Sequence, residues 1–218
     1  MKKNLQNITA EKLHEKVPPN WYYQSLKIDP FQKYWHKRRF EEISRVIDHA
    51  RVVLDVGCAD GVFSKVIFDK TKAKKYTGID VLKSSVDWAK KHWKRYPSMK
   101  FSVGDAHILN YKNNSFDAVF IMEVLEHVKD PKKVLTEVKR ILKKGGYGVF
   151  LVPSDSNLFN IVWWFWLHFY PRGWVWRDTH IQTYRDNYLP KLCKKVGFQI
   201  EIDKKFNLGM LHLVKVRK

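Results

Sequence analysis

The chain has 218 residues, 44% hydrophobic and 15% aromatic, which suits one globular domain with a sizeable core and excludes an intrinsically disordered chain. Its 41 Lys and Arg against 22 Asp and Glu give a formal net charge of +19, a field that favours anionic partners, nucleic acid and acidic lipid headgroups alike. Two cysteines with no CxxC pair exclude a disulfide framework and a cysteine zinc site, and they fit a reducing cytoplasm.

The opening stretch MKKNLQNITAEKLHEKVPPN is basic and lacks the apolar run of a signal peptide. Phe40, Ile43, Val46 and Ile47 then recur at three- and four-residue steps, which predicts one face of a helix. RVVLDVG is a short β-branched run ending at Gly57 and reads as a buried strand. After it, GVFSKVIFDK predicts a helix, KYTGID a strand, KSSVDWAKKHWKRY a helix, and MKFSVGD and SFDAVFIME two strands. PKKVLTEVKRILKKGG predicts a helix with proline near its start and glycine at its end, followed by the strand YGVFLVP. The helix RDNYLPKLCKKVGF and the strands QIEIDKK and MLHLVKVRK close the chain. The alternation predicts an α/β fold: a doubly wound, mostly parallel seven-stranded sheet with helices on both faces. The last two strands have no helix between them and should form an antiparallel hairpin at the sheet edge.

An aromatic insert follows strand five. NIVWWFWLHFYPRGWVW, Asn160 to Trp176, holds five of the nine tryptophans. Its apolar run, Leu158 to Tyr170, is 13 residues long, shorter than the ~20 that a membrane-spanning helix needs. A connection of this length beside the carboxyl edge of the sheet reads as a lid on a pocket. Its tryptophans and tyrosine, with Arg172 and Arg177 flanking, suit an anionic membrane–water boundary. Burial in the core is the plainer alternative.

VLDVGCADG joins a strand to a helix through a tight glycine turn, the place where a doubly wound sheet binds its ligand. Asp55, Asp80 in TGID and Asp105 in VGDA each stand at the end of a strand. Any one of them could be a helix cap or turn residue; three in register on one edge suggest a site. An acid after strand two is where a ribose diol is bound. There is no GxxxxGK[ST], and Asp60 sits where a phosphate would meet the helix start. The expected ligand is therefore a cofactor with a ribose and no pyrophosphate.

In this order, VLDVGCADG, GID, GDA and FDAVFIMEVLEHVKDP resemble the motifs of class I S-adenosylmethionine (SAM)-dependent methyltransferases, over roughly residues 40–152. MEVLEHVKDP is similar to the ubiquinone-biosynthesis O-methyltransferase branch and its type-11 relatives. The resemblance implies a single domain over 1–218: a helical cover (1–49), a SAM-binding core (50–152), an aromatic lid or membrane-contact insert (153–183), and a C-terminal helix and hairpin (184–218). It implies SAM as cofactor, with Asp55, Gly57, Cys58, Ala59 and Gly61 around the methionine part and Asp80 on the ribose hydroxyls. Asp105 and the Ala106 amide would meet adenine, Val81 or Leu82 would pack on its ring, and Met122 and Glu123 would border the sulfonium. Ala59 departs from the family's GxGxG and is expected to keep a negative φ.

The resemblance also bears on chemistry. Glu123, Glu126, His127 and His180 are candidates for acid–base work, and Tyr184 is expected near the methyl group. The ExxEH set Glu123, Glu126 and His127 resembles a divalent-metal site; the plainer expectation is no metal, with Glu126 capping and His127 packing under the sheet. Trp21, Tyr22, Tyr23, Tyr34 and Trp35 are expected to cover cofactor and acceptor, with packing on the sheet as the alternative for Trp35. The implied function is in-line methyl transfer to a small hydrophobic or lipid-like acceptor, by a cytoplasmic protein that associates with an anionic membrane surface. Two alternatives stay open. An RNA methyltransferase suits the charge, although no RNA-binding module or NPPY-type motif is present. A non-catalytic SAM-binding protein could use the aromatic patch to hold a partner.

Overall fold

The computed structural model describes residues 9–170, 172–176 and 179–218. Strands β1 (Val52–Val56), β2 (Lys75–Asp80), β3 (Met99–Val103), β4 (Phe116–Met122) and β5 (Leu142–Pro153) run parallel. The hairpin β6 (Gln199–Phe206) and β7 (Leu211–Arg217) joins antiparallel through β7. The order β3-β2-β1-β4-β5-β7-β6 reverses direction between β1 and β4, the switch point at which such sheets bind ligands.

Both faces of the sheet are covered, so its central strands are buried throughout. Alternate residues of β4 feed two cores. Ala118, Phe120 and Met122 pack with α3 (Pro30–Val46), α4 (Val62–Thr71) and α5 (Lys83–His92). Val119 and Ile121 pack with α6 (Pro131–Ile141) and α8 (Tyr188–Val196). The predicted Ile43–Val46 face of α3 is buried.

One boundary differs from the sequence reading. The sixth helix stops at Ile141, and Leu142 to Gly146, assigned above to its end, already belong to β5. Leu142 is extended and pairs with Phe116, while the Lys143 ammonium meets the Asp117 carboxylate at 2.6 Å. Sheet pairing and this ion pair override a helical pattern that the lysines alone would continue.

Two short helices, α1 (Ala10–Leu13) and α2 (Trp21–Ile28), precede α3, and α7 (Asn157–Phe169) follows β5. The Ser156 hydroxyl caps α7 by accepting from the Phe159 amide. No described helix is long and apolar enough to cross a membrane.

Candidate functional site

Two cavities lie at the carboxyl edge of the sheet. The first, a cleft of about 1020 Å³, opens over β1, β2 and β4. The Gly57 and Cys58 amides both donate to the Ile79 carbonyl, which folds the turn after β1 back onto β2. Gly57 has a φ of 77° and a Cβ there would stand 2.1 Å from Val124, so only glycine fits. Asp80 accepts from the Ala59 amide with one oxygen and from the Leu82 amide with the other, at 2.8 and 2.9 Å. Burial raises its pKa against the pull of these amides. Val81, Leu82, Asp105, Ala106, Met122 and Glu123 also line the cleft. Asp105 accepts from the backbone and ring nitrogens of His107.

Three expected residues behave differently. Ala59 adopts a φ of 45° rather than a negative one; its amide is drawn to Asp80, and the left-handed turn is the geometry that permits this bond. Asp55 does not line the cleft. It lies beneath it, accepting from the Ser64 and Tyr76 hydroxyls at 2.6 and 2.9 Å. Burial pushes its carboxyl up to about 6 although both hydroxyls oppose this. Gly61, also outside the cleft lining, starts α4 in the left-handed region with the Trp93 ring against it.

The second cavity, about 750 Å³, lies between α2 and α3 on one side and α7 on the other. Phe159, Val162, Trp163 and Trp166 of α7 line it, as do Phe31 and Trp35. Leu158, Ile161, Trp164, Phe165 and Phe169 point away from it and are exposed. The helix is thus apolar on both faces, and among the described residues only the inner face lines the cavity. Arg172 stands over the Trp21 ring; Arg177 lies outside the described residues.

The ExxEH motif lines this cavity through Glu123, Glu126 and His127. Glu123, at a φ of 56°, pairs with the buried guanidinium of Arg39. Glu126 is buried and burial lifts its carboxyl to about 8. His127 Nδ1 lies 2.8 Å from the Thr179 carbonyl. A carbonyl only accepts, so Nδ1 carries the hydrogen and Nε2 keeps its lone pair. The Ile181 and Gln182 amides both donate to the Glu126 carbonyl, which brings His180 within 5.0 Å of His127, ring to ring. Burial holds His127 well below the usual histidine range and takes His180 down to about 4, so both are neutral at pH 7. The Tyr184 hydroxyl donates to the Leu125 carbonyl, and the residue lines neither cavity. Trp21, Tyr22, Glu123, His127 and Trp176 line both cavities and form the wall between them.

Residues 54–150 match the family described as a methyltransferase domain. Over these residues the chain is similar to methyltransferase domains. A ubiquinone biosynthesis O-methyltransferase from Coxiella burnetii is 30% identical over 145 residues, 65% of this chain and 61% of the relative. A demethylmenaquinone methyltransferase from Thermotoga maritima is 31% identical over 128 residues, 58% of this chain and 54% of the relative. The chain therefore spans 54–61% of the length of these curated relatives. In fold it is similar to a SAM-dependent methyltransferase structure from Thermotoga maritima, with a TM-score of 0.72, 19% identity and 96% and 100% of the two chains covered. S-adenosylmethionine is the cofactor that a methyltransferase domain implies, and the cleft fits it: a glycine-floored turn, a fixed carboxylate after β2 and a polar pair at Asp105 and Ala106.

Several lining residues carry no sequence motif. His14, Pro18 and Pro19 line the first cavity, and Arg39 and Gln32 the second. Asp60, singled out above only as unfavourable to phosphate, ties the N-terminal cover to the cleft by accepting from the Tyr23 amide at 2.9 Å. Tyr23 packs on Trp88 and His92, and Tyr34 is exposed away from both cavities. The mixed-charge pattern of α3 hid Arg39, because its partner lies 84 residues away.

Proposed function

We propose that this protein transfers the methyl group of SAM to a small, hydrophobic or lipid-like acceptor. The observation that carries the reading is the shared wall: one cavity has the cofactor's polar fittings, the other is aromatic, and the two meet at Tyr22, Glu123, His127 and Trp176. A sulfonium methyl reaching that wall would face a nucleophile held in the aromatic cavity. In-line displacement needs little beyond such alignment, since the leaving group is already activated by its charge. A nucleophile that arrives protonated gives its proton to Glu123 or His127, the basic groups on the wall. The names of the relatives, a ubiquinone biosynthesis O-methyltransferase and a demethylmenaquinone methyltransferase, support an acceptor of this class.

The two faces of α7 support a route for that acceptor. The inner face lines the cavity and the outer face is exposed, with Trp164, Phe165 and Phe169 each at least half exposed. The outer face would rest on an anionic membrane surface, drawn by aromatic rings and by the net charge of +19. The acceptor would then pass from lipid into the cavity. Methyl-labelled SAM incubated with the protein and extracted lipids and quinones tests the reading. Label is expected in an apolar product; label only in water-soluble products or RNA would refute it.

A further inference from the structure

Asp60 lies in the turn after β1 that floors the cofactor cleft, yet its side chain serves a different element. The residue is 1% exposed. Its Oδ2 accepts from the Tyr23 amide at 2.9 Å, and its Oδ1 from the Val62 amide at 3.2 Å. The Trp93 indole donates to the Asp60 carbonyl at 2.8 Å, which pins the turn to the end of α5. Tyr23 stands in the first turn of α2, where backbone amides have no partner inside the helix. Asn20, the residue before that helix, makes no capping bond with its side chain. Asp60 supplies the cap from 37 residues away, and its charge suits the positive end of the helix. Burial lifts the Asp60 carboxyl to about 6 against the pull of the Tyr23, Val62 and Tyr22 amides, so the buried charge keeps its place through those amides.

What α2 carries gives this tie a consequence. Trp21 and Tyr22 line both cavities, and His14, Val17, Pro18 and Pro19 just before them line the first. The floor of the cofactor cleft and the wall of the aromatic cavity are therefore tied together through the Asp60 carboxylate. We propose that Asp60 is a positioning residue: it docks α2 so that seating SAM on the turn and completing the Trp21–Tyr22 wall are one event. The floor at residues 57–60 and the roof at residues 14–22 form one cleft only while α2 is docked. SAM therefore binds the docked form more tightly and favours it, since a ligand shifts an equilibrium by its differential affinity for the two states. By the same linkage, a chain with α2 loosened binds SAM more weakly. An acceptor then meets a complete cavity in the SAM-loaded protein, and binds second. This coupling rests on the proposed methyl transfer between the two cavities and adds the order of events to it.

Hydrogen–deuterium exchange of the full chain, read by mass spectrometry with and without saturating SAM, tests the coupling. In the wild type SAM is expected to slow exchange both at residues 79–82, beside the cleft, and across α2. Asp60→Ala should speed exchange across α2 and weaken SAM in calorimetry, each by roughly 2- to 30-fold, the range to which a lost helix cap corresponds. Saturating SAM should then protect residues 79–82 as before and leave α2 exchanging at its SAM-free rate. Asp60→Asn keeps an accepting oxygen and caps helices about as well as aspartate, so it should stay within a few-fold of the wild type in both readouts. A wild type in which SAM slows residues 79–82 but not α2 would overturn the coupling, and this comparison holds even if Asp60→Ala does not fold. A folded Asp60→Ala whose α2 is protected by SAM like the wild type's would overturn it as well. SAM that slows exchange nowhere would refute the cofactor reading itself, and the coupling with it.

Discussion

Replacing Asp80 should cost the protein its cofactor. The carboxylate holds two backbone amides, Ala59 and Leu82, at 2.8 and 2.9 Å, and it stands where the ribose hydroxyls of SAM would donate. Hydrogen bonds to a charged acceptor contribute roughly 1.5–3 kcal/mol each. Ala59 at a φ of 45° carries a left-handed penalty of about 1–2 kcal/mol, which its bond to Asp80 offsets. In Asp80→Ala the bond is gone and the turn is free to leave the shape that floors the cleft. A net loss of about 2–3 kcal/mol in SAM binding is expected, or roughly 30- to 150-fold in Kd. Asp80→Asn keeps one accepting oxygen and should fall between. Calorimetric titration with SAM, with near-ultraviolet circular dichroism to confirm folding, decides the matter. Unchanged affinity in a folded Asp80→Ala would show that the cleft does not hold a ribose at β2. In the same turn, Ala59→Gly should stabilise the apo protein by about 1 kcal/mol in urea unfolding; a loss of stability would mean that the left-handed turn is not strained.

Glu123→Gln should lower kcat by roughly 10²–10⁴ while SAM affinity stays within a few-fold; normal turnover with a labelled acceptor would remove Glu123 from the proton route. The two faces of α7 should separate by assay. Three outer rings each bury about 100 Å² on contact with lipid, worth roughly 2.5 kcal/mol apiece at most, so Trp164→Ser with Phe165→Ser and Phe169→Ser should abolish co-sedimentation with anionic vesicles. Trp163→Ala on the inner face should raise KM for an apolar acceptor and leave vesicle binding intact; the reverse pattern would invert the roles given to the faces. Asp55 titrates at about 6 when folded against an ordinary 3.8, so its contribution is fully present below pH 4 and is lost as pH rises through 6. Asp55→Asn should therefore gain on the wild type by about 3 kcal/mol between pH 4 and 6 and hold a constant difference above it. Parallel stability curves across that window would contradict a raised pKa.

The sheet was legible because each strand ends in its own signal. A short run closed by an acid or a glycine marks β1, β2 and β3, and the missing crossover helix marks the hairpin. Asp80, Asp105, Met122 and Glu123 could be placed at one edge by counting strands alone, and the structure does set them around one cleft. What escaped was decided across the chain. Asp55 ends a strand like Asp80, but its side chain is claimed by hydroxyls of Ser64 and Tyr76 on the buried side. The turn at Ala59 depends on a bond to a residue 21 positions away, which no local preference for φ reports. Arg39 reads as one charge among several in KRRFEE, and its partner Glu123 stands just past the end of β4. The tryptophan run looked like a single apolar block; only helical geometry divides it into rings that line the cavity and rings that face outward.

In the proposed reaction the methyl group crosses the wall formed by Tyr22, Glu123, His127 and Trp176. A crystal structure with a non-reactive SAM analogue decides this. The ribose is expected on Asp80, adenine beside Asp105 and Ala106, and the group that replaces the methyl at that wall, pointing into the aromatic cavity. An analogue seated elsewhere, or one whose transferable group points away from the aromatic cavity, would contradict it.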